Sequence, residues 1–190
     1  MTDAARLRAA FDRVRRTDFL PANQLGFARE DAALPIGHGQ TNSQPSTVRA
    51  MLDLLEVQPG QRVLDVGCGS GWTTALLGEL VGPEGEVVGV EIVPELVAWG
   101  RENLASYAMP WTRIEQADRD TLGVPESAPY DRVLVSAEAS RVPMELVDQL
   151  AVGGLMVVPV RGRMTVVRRT TGRPEVSREG WYSFVPLVEP

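Results

Sequence analysis

Residues 63–71 read Val63-Leu64-Asp65-Val66-Gly67-Cys68-Gly69-Ser70-Gly71, and the fold class follows from that stretch. The apolar run 62–66 has the length and composition of a buried strand. It ends in alternating glycines, after which the apolar pattern predicts a helix over 71–80. Glycine at such a turn lets a ligand approach the backbone, and a helix N-terminus offers free N–H groups to it. A dinucleotide-binding turn places its third glycine one position later, where this chain has Trp72, so the spacing speaks against NAD. Asp65 at the strand end would repel a diphosphate and suits an ammonium or sulfonium group instead.

The next predicted strand, 86–91, ends in Glu91, twenty positions after Gly71. An acid there can accept hydrogen bonds from both hydroxyls of a ribose. A ribose joined to a cationic amino-acid tail describes S-adenosylmethionine. Asp118, which follows a weaker strand over 112–116, lies at the same edge of the sheet and is within reach of an adenine amino group.

Outward from this core, the patterning predicts helices over 4–16, 47–55, 94–106 and 143–150. It predicts further strands over 130–136, 154–160, 164–170 and 182–188, and reads 17–39 as irregular and 40–45 as a polar loop. Strands alternating with helices specify an α/β class, a mostly parallel, doubly wound, Rossmann-like sheet covered on both faces. No helix separates the last two strands, so the C-terminal edge should be antiparallel. One domain over 1–190 is expected, with segment 1–58 covering the site and the cofactor-binding sheet core over 59–190.

Composition narrows the chemistry. The chain has 190 residues, 44% hydrophobic and 23% charged, with a net charge of −6, which disfavours nucleic acid as a partner. The arginines between 161 and 178 fall at strand spacing, on a solvent face. A single cysteine, Cys68, and a single histidine, His38, can form neither an internal disulfide nor a Cys/His zinc site, and no metal is expected. His38, between two glycines, reads as a loop-shaping residue; Cys68 and the four tryptophans read as packing residues. All 19 basic residues are arginine, which removes Schiff-base and P-loop chemistry because both need lysine. Eight charges in the first twenty residues are not those of a signal peptide, and no apolar run approaches the roughly 20 residues of a membrane span. A cytoplasmic protein is expected, with the monomer favoured.

The segment Ala33-Leu34-Pro35-Ile36-Gly37-His38-Gly39-Gln40-Thr41-Asn42-Ser43-Gln44-Pro45 resembles the signature Leu-Pro-Ile-Gly-x-Gly-Gln-Thr-x-Ser-Gln-Pro of the protein-L-isoaspartate O-methyltransferases. The resemblance continues through Asp65–Gly71, Tyr130-Asp131, Gln149-Leu150, Gly153-Gly154, Val158-Pro159-Val160 and Phe184-Val185-Pro186-Leu187, from about Phe11 to the end. It implies a class I methyltransferase fold and methyl transfer from S-adenosylmethionine to the α-carboxylate of isoaspartyl residues in damaged proteins or peptides. The ester then collapses to a succinimide that hydrolyses partly to normal aspartate. The resemblance further implies that Ser43 is the active-site serine, that Thr41 and Asn42 lie on the loop closing over the cofactor, and that Asp65, Gly67 and Gly69 form its turn. Glu91 and Ile92 would hold ribose and adenine, and Asp118 would match the acid of the family's Gly-Asp-Gly motif. That motif reads Ala117-Asp118-Arg119 here, and the position before the serine is Asn42; set against bacterial members, the resemblance also leads to the expectation that a leading helix is missing. These departures bear on the acceptor, for which another carboxylate, a normal aspartate or a small acid, is the alternative.

Overall fold

The computed structural model describes residues 2–189. Asp3 caps the first helix, α1 (Ala4–Arg13), its carboxylate accepting from the N–H groups of Ala5 and Arg6. The predicted helix over 4–16 ends early because Val14 turns extended and Arg16 enters a second, 3₁₀ segment, Arg16–Phe19. Within the stretch read as irregular and polar there is another 3₁₀ segment, Ala22–Phe27, and a hairpin of β1 (Leu34–Gly37) and β2 (Gln40–Asn42). Gly37, His38 and Gly39 all have positive φ at its exposed tip, so His38 shapes the turn. Helix α2 (Pro45–Leu55) begins on a proline and buries Val48, Met51, Leu52 and Leu55, each worth at most about 1.5–3 kcal/mol of apolar burial.

The sheet then builds outward. Strands β3 (Arg62–Val66) and β4 (Glu86–Glu91) form as their apolar runs predict, and β5 (Thr112–Gln116) forms as the weaker strand around the buried Ile114; they are connected by α3 (Trp72–Val81) and α4 (Pro94–Ala105). The chain returns across the sheet to β6 (Tyr130–Val135), passes through α5 (Met144–Val147) and continues as β7 (Leu150–Val160), β8 (Arg163–Arg168) and β9 (Glu175–Trp181). The order is β5-β4-β3-β6-β7-β8-β9, parallel from β5 to β7 and antiparallel from β7 to β9. This is the mostly parallel Rossmann-like sheet with an antiparallel C-terminal edge. Alternate strand residues feed two cores: Val63 and Leu134 pack with α1–α4, whereas Leu64, Val66 and Val135 pack with Leu122, Val124 and Leu146. The second face is therefore covered by the 117–129 connection and one helical turn rather than by a full helical layer.

Two predicted elements move. The helix over 143–150 shrinks to α5 because Leu150 already pairs with Tyr130 in the sheet, and the buried Gln149 amide bonds the Leu122 and Glu145 carbonyls. The last strand is β9, not 182–188. All seven of its residues are exposed at the sheet's free edge, so it carries no apolar alternation. The apolar 182–188 stretch instead folds in beside β6, where Glu138 donates to the Val185 carbonyl and Leu187 to the Glu138 carbonyl. Among the described residues no helix is long and apolar enough to cross a membrane.

The turn after β3 needs glycine for space as well as for dihedral angle. Gly71 has φ +91°, and a Cβ there would lie 2.9 Å from Ile114 Cδ1 and 3.3 Å from the Gly100 carbonyl oxygen. Gly39 shares the positive φ, but its Cβ would meet nothing within 4 Å. Gly71→Ala should therefore cost about 2–4 kcal/mol, left-handed strain plus overpacking, and Gly39→Ala only about 1–2 kcal/mol. Urea unfolding of the two variants measures the difference; equal losses would contradict this account of the turn.

Candidate active site

Strands β3 and β6 are neighbours although the chain visits β4 and β5 between them, so the connections leave in opposite directions and open a crevice at their C-terminal ends. Gly67 and Gly69 line that crevice with Val66, Val90, Glu91 and Ile92. The Glu91 side chain is nearly buried and holds the turn together. Its Oε2 accepts from the Gly69 N–H at 2.9 Å, and Oε1 accepts from Ile92 at 2.8 Å and Val93 at 3.0 Å. A carboxylate offers about four lone-pair sites, so one remains toward the cleft. Asp118 also lines the cleft, its Oδ1 accepting from the Asp120 N–H at 2.8 Å. The strap Val185–Leu187 forms part of the opposite wall.

Asp65 is placed differently from its expected contact with the cofactor. It is completely buried and absent from the cleft wall; its Oδ2 accepts from the hydroxyls of Thr73 and Thr74, at 2.7 and 2.8 Å, in the first turn of α3. It anchors the helix that follows the turn. Burial pushes its pKa up to about 6, against the pull of the two threonine hydroxyls, and Oδ1 has no partner among the described residues. Cys68 is buried in the turn as a packing residue, and burial raises its thiol pKa. Trp72 is likewise packing: its ring meets Phe11 edge-on at 5.7 Å, and its N–H reaches the Val14 carbonyl at 3.4 Å.

The loop carrying Thr41, Asn42 and Ser43 is fixed by Arg16, whose role the sequence reading missed. The Arg16 guanidinium is buried and donates to the carbonyls of Ala28, Glu30, Ala32, Asn42 and Ser43 and to Asn42 Oδ1, over 2.7–3.4 Å. It also lies 5.5 Å from the Trp72 ring centroid. Desolvation lowers its pKa and Asp31 nearby raises it, so it stays charged among fixed dipoles. Asn42 spends its carbonyl on Arg16, and its amide lies 3.5 Å from Ser70 Oγ; it links loop to turn rather than facing the cleft. Thr41 is exposed and lines the cleft, and Ile92 lies on the same wall.

On the far side of Thr41 and Ser43 lies a second groove, formed by Gln44, Thr47, Ser136, Trp181, Tyr182 and Phe184. Trp181, expected to pack, is instead 76% exposed on this wall, with Arg163 4.7 Å from its ring centroid. Neither Arg16 nor Trp181 carried a signal beyond its residue type: an arginine next to another at a helix end, and an aromatic in a charged strand. Geometrically, then, the cleft lined by Glu91, Ile92 and Asp118 meets the second groove at Thr41, Ser136 and Val185, with Ser43 on the groove's wall.

The sequence profile of the protein-L-isoaspartate(D-aspartate) O-methyltransferases matches residues 1–190. An Aeropyrum pernix protein-L-isoaspartate O-methyltransferase is 44% identical over 99% of this chain and 74% of its own. A solved protein-L-isoaspartate O-methyltransferase superposes with a TM-score of 0.88 at 25% identity over 97% of this chain; the chain spans 61% of that protein. A Plasmodium falciparum beta-aspartate methyltransferase, solved in complex with S-adenosyl-L-homocysteine, shares the fold with a TM-score of 0.84 at 24% identity over 97% of this chain and 91% of its own.

Two outcomes follow from the buried charges. Arg16→Lys keeps the charge but offers three donors to six acceptors, and each unmet buried acceptor costs about 1 kcal/mol or more. An unfolding free energy lower by about 3 kcal/mol is expected in urea titration, and wild-type stability would remove Arg16 from its central place. For Asp65, a folded-state pKa above the ordinary value means that the folded protein binds the proton more tightly. Its stability contribution is present at low pH and is lost as pH rises through about 6. The stability of wild type relative to Asp65→Asn should therefore increase between pH 7 and pH 5; a difference independent of pH would show that the carboxylate is not held in a low-dielectric site.

Proposed function

Because this chain belongs to the protein-L-isoaspartate(D-aspartate) O-methyltransferase family, we propose that it transfers a methyl group from S-adenosylmethionine to the α-carboxylate of L-isoaspartyl residues in proteins or peptides, as a repair enzyme of the cytoplasm. The observation that carries the reading is the meeting of two cavities beside the motif serine. Ser43 lines the second groove and also the small crevice that runs to Gly67 and Gly69.

The residues fit the donor. Glu91 has an acceptor site left for a ribose hydroxyl, Ile92 and Leu122 offer apolar walls for a purine, and Asp118 stands at the cleft's rim. When bound, the donor supplies a methyl group on a sulfonium, which passes to the acceptor oxygen as the methyl–sulfur electron pair returns to sulfur. The acidic lining from Glu91 and Asp118 favours a cationic ligand over a phosphate.

No side chain has to remove a proton. A free α-carboxyl with a pKa of about 3.3–3.7 is ionised at pH 7. This agrees with an active site in which the sole histidine, His38, sits at an exposed hairpin tip away from the cleft. What the protein must supply is alignment and exclusion of water. Ser43 serves as a neutral donor that orients the carboxylate without pairing its charge away. Its backbone is immobilised by the bond from Arg16 to its carbonyl at 3.0 Å. Thr41 closes the boundary between cleft and groove.

The test is methyl incorporation from labelled S-adenosylmethionine into two peptides that differ only in one isoaspartyl or aspartyl linkage. Methylation of the isoaspartyl peptide, with the aspartyl peptide strongly disfavoured, is expected. Methylation of the aspartyl peptide alone would move the enzyme to another carboxylate acceptor.

A further inference from the structure

The C-terminal end of β6 carries the hydroxyl of Ser136, buried at the meeting of the cavities. The Ser136 N–H donates to the Val66 carbonyl at 2.8 Å, which seats the residue beside the glycine turn. A Cβ built on Gly67 would lie 3.9 Å from the Ser136 carbonyl carbon. Ser136 Oγ is buried, yet it has no hydrogen-bond partner among the described residues. Ser136 lines the adenosyl cleft, the peptide groove and the crevice between Ser43 and the turn; among the described residues Thr41 alone does the same.

A buried hydroxyl without a partner is a cost to the folded state, so its presence at the junction of three cavities calls for a ligand group that satisfies it. We propose that Ser136 is a second acceptor-binding residue, its Oγ–H donating to the carboxylate that Ser43 also orients. The proposal rests on the reading of this site as a carboxylate methyltransferase and adds to it the group that fixes the carboxylate's plane. One donor leaves a carboxylate free to swing about a single hydrogen bond. Two donors, on β6 and on the loop after β2, define which oxygen lone pair faces the methyl group. Both are neutral, so the attacking oxygen keeps its negative charge, and with about four lone-pair sites on the carboxylate, two hydrogen bonds leave the attacking pair free. Ser136 shares the groove wall with Tyr182 and Phe184, between which the flanking peptide would run.

The test compares full-length wild type with Ser136→Ala and Ser136→Thr in three measurements: steady-state kinetics on the isoaspartyl peptide, calorimetric affinity for S-adenosylhomocysteine, and urea unfolding. For Ser136→Ala, kcat/KM for the peptide should fall about ten- to a hundredfold, the loss of one hydrogen bond to a charged group. S-adenosylhomocysteine affinity should stay within about twofold, and stability should be unchanged or higher, because an unsatisfied group has been removed. Ser136→Thr should recover most of the activity. Wild-type kcat/KM in Ser136→Ala overturns the proposal, and so does a matching loss of S-adenosylhomocysteine affinity, which would make Ser136 a cofactor contact. A fall in stability that explains the lost activity overturns it as well. If wild type binds S-adenosylhomocysteine but leaves the isoaspartyl peptide unmethylated, the underlying reading fails and the role of Ser136 falls with it. If wild type methylates the peptide and Ser136→Ala does so equally well, only the role of Ser136 falls.

Discussion

The parallel pairing of β3 with β6 is the constraint on which the rest of the molecule hangs. Val63 to Val66 lie in register with Arg132 to Val135, while the chain between them runs outward through β4 and β5 and back. The helix after β3 and the connection after β6 therefore diverge, and the space between them cannot be filled by either. The candidate ligand-binding groups of the sheet are arranged around that gap: the glycine turn at the end of β3, Glu91 at the end of β4, Asp118 after β5 and Ser136 at the end of β6. The pairing is secured by residues buried on both faces of both strands, so the gap is a property of the most buried part of the protein rather than of its loops.

A second constraint brings the acceptor side to this gap. Ser43 belongs to the N-terminal segment, and neither the sheet nor the short hairpin would hold it by itself. The Arg16 guanidinium does so, by drawing the carbonyls of Ala28, Glu30, Ala32, Asn42 and Ser43 around one point. Burying a charge this way is unfavourable unless its donors are met, and here six acceptors surround five N–H groups. The arrangement ties together the 3₁₀ segment Arg16–Phe19, the 28–32 stretch and the end of β2. Trp72, at the start of α3, closes the cage from the sheet side, so the loop carrying Ser43 and the helix after the glycine turn share one contact.

How legible this was depends on where the determining interaction lies. Strands β3 and β4 could be read to the residue because a strand buried on both faces is a largely apolar run, and the position of Glu91 at a strand end followed from the spacing between them; β5, an edge strand with only Ile114 buried, gave a weaker pattern. Ser43 could be placed because its flanking motif is distinctive. Arg16 could not: an arginine pair at the end of an amphipathic helix reads as a solvated face, and only tertiary structure shows that the helix ends at Arg13, three residues before it. Asp65 was legible as part of the turn but not as a buried anchor for Thr73 and Thr74, since its sequence position suits either role. Strand β9 escaped because an edge strand with no buried residue has no period to detect, whereas the apolar 182–188 stretch that mimics a strand is a strap over the cleft. Ser136 is a small residue after a strand; its significance lies in an unmet hydroxyl, which no pattern records.

The central claim is that an acceptor carboxylate is held where the peptide groove meets the adenosyl cleft, between Ser43 and Ser136. A crystal structure of the protein with S-adenosylhomocysteine and an isoaspartyl peptide tests it directly. The account predicts ribose on Glu91, the peptide running along Trp181 and Tyr182, and the α-carboxylate within hydrogen-bond distance, about 2.5–3.0 Å, of both hydroxyls. A carboxylate bound away from Ser43, or a peptide seated on another face of the molecule, would contradict it.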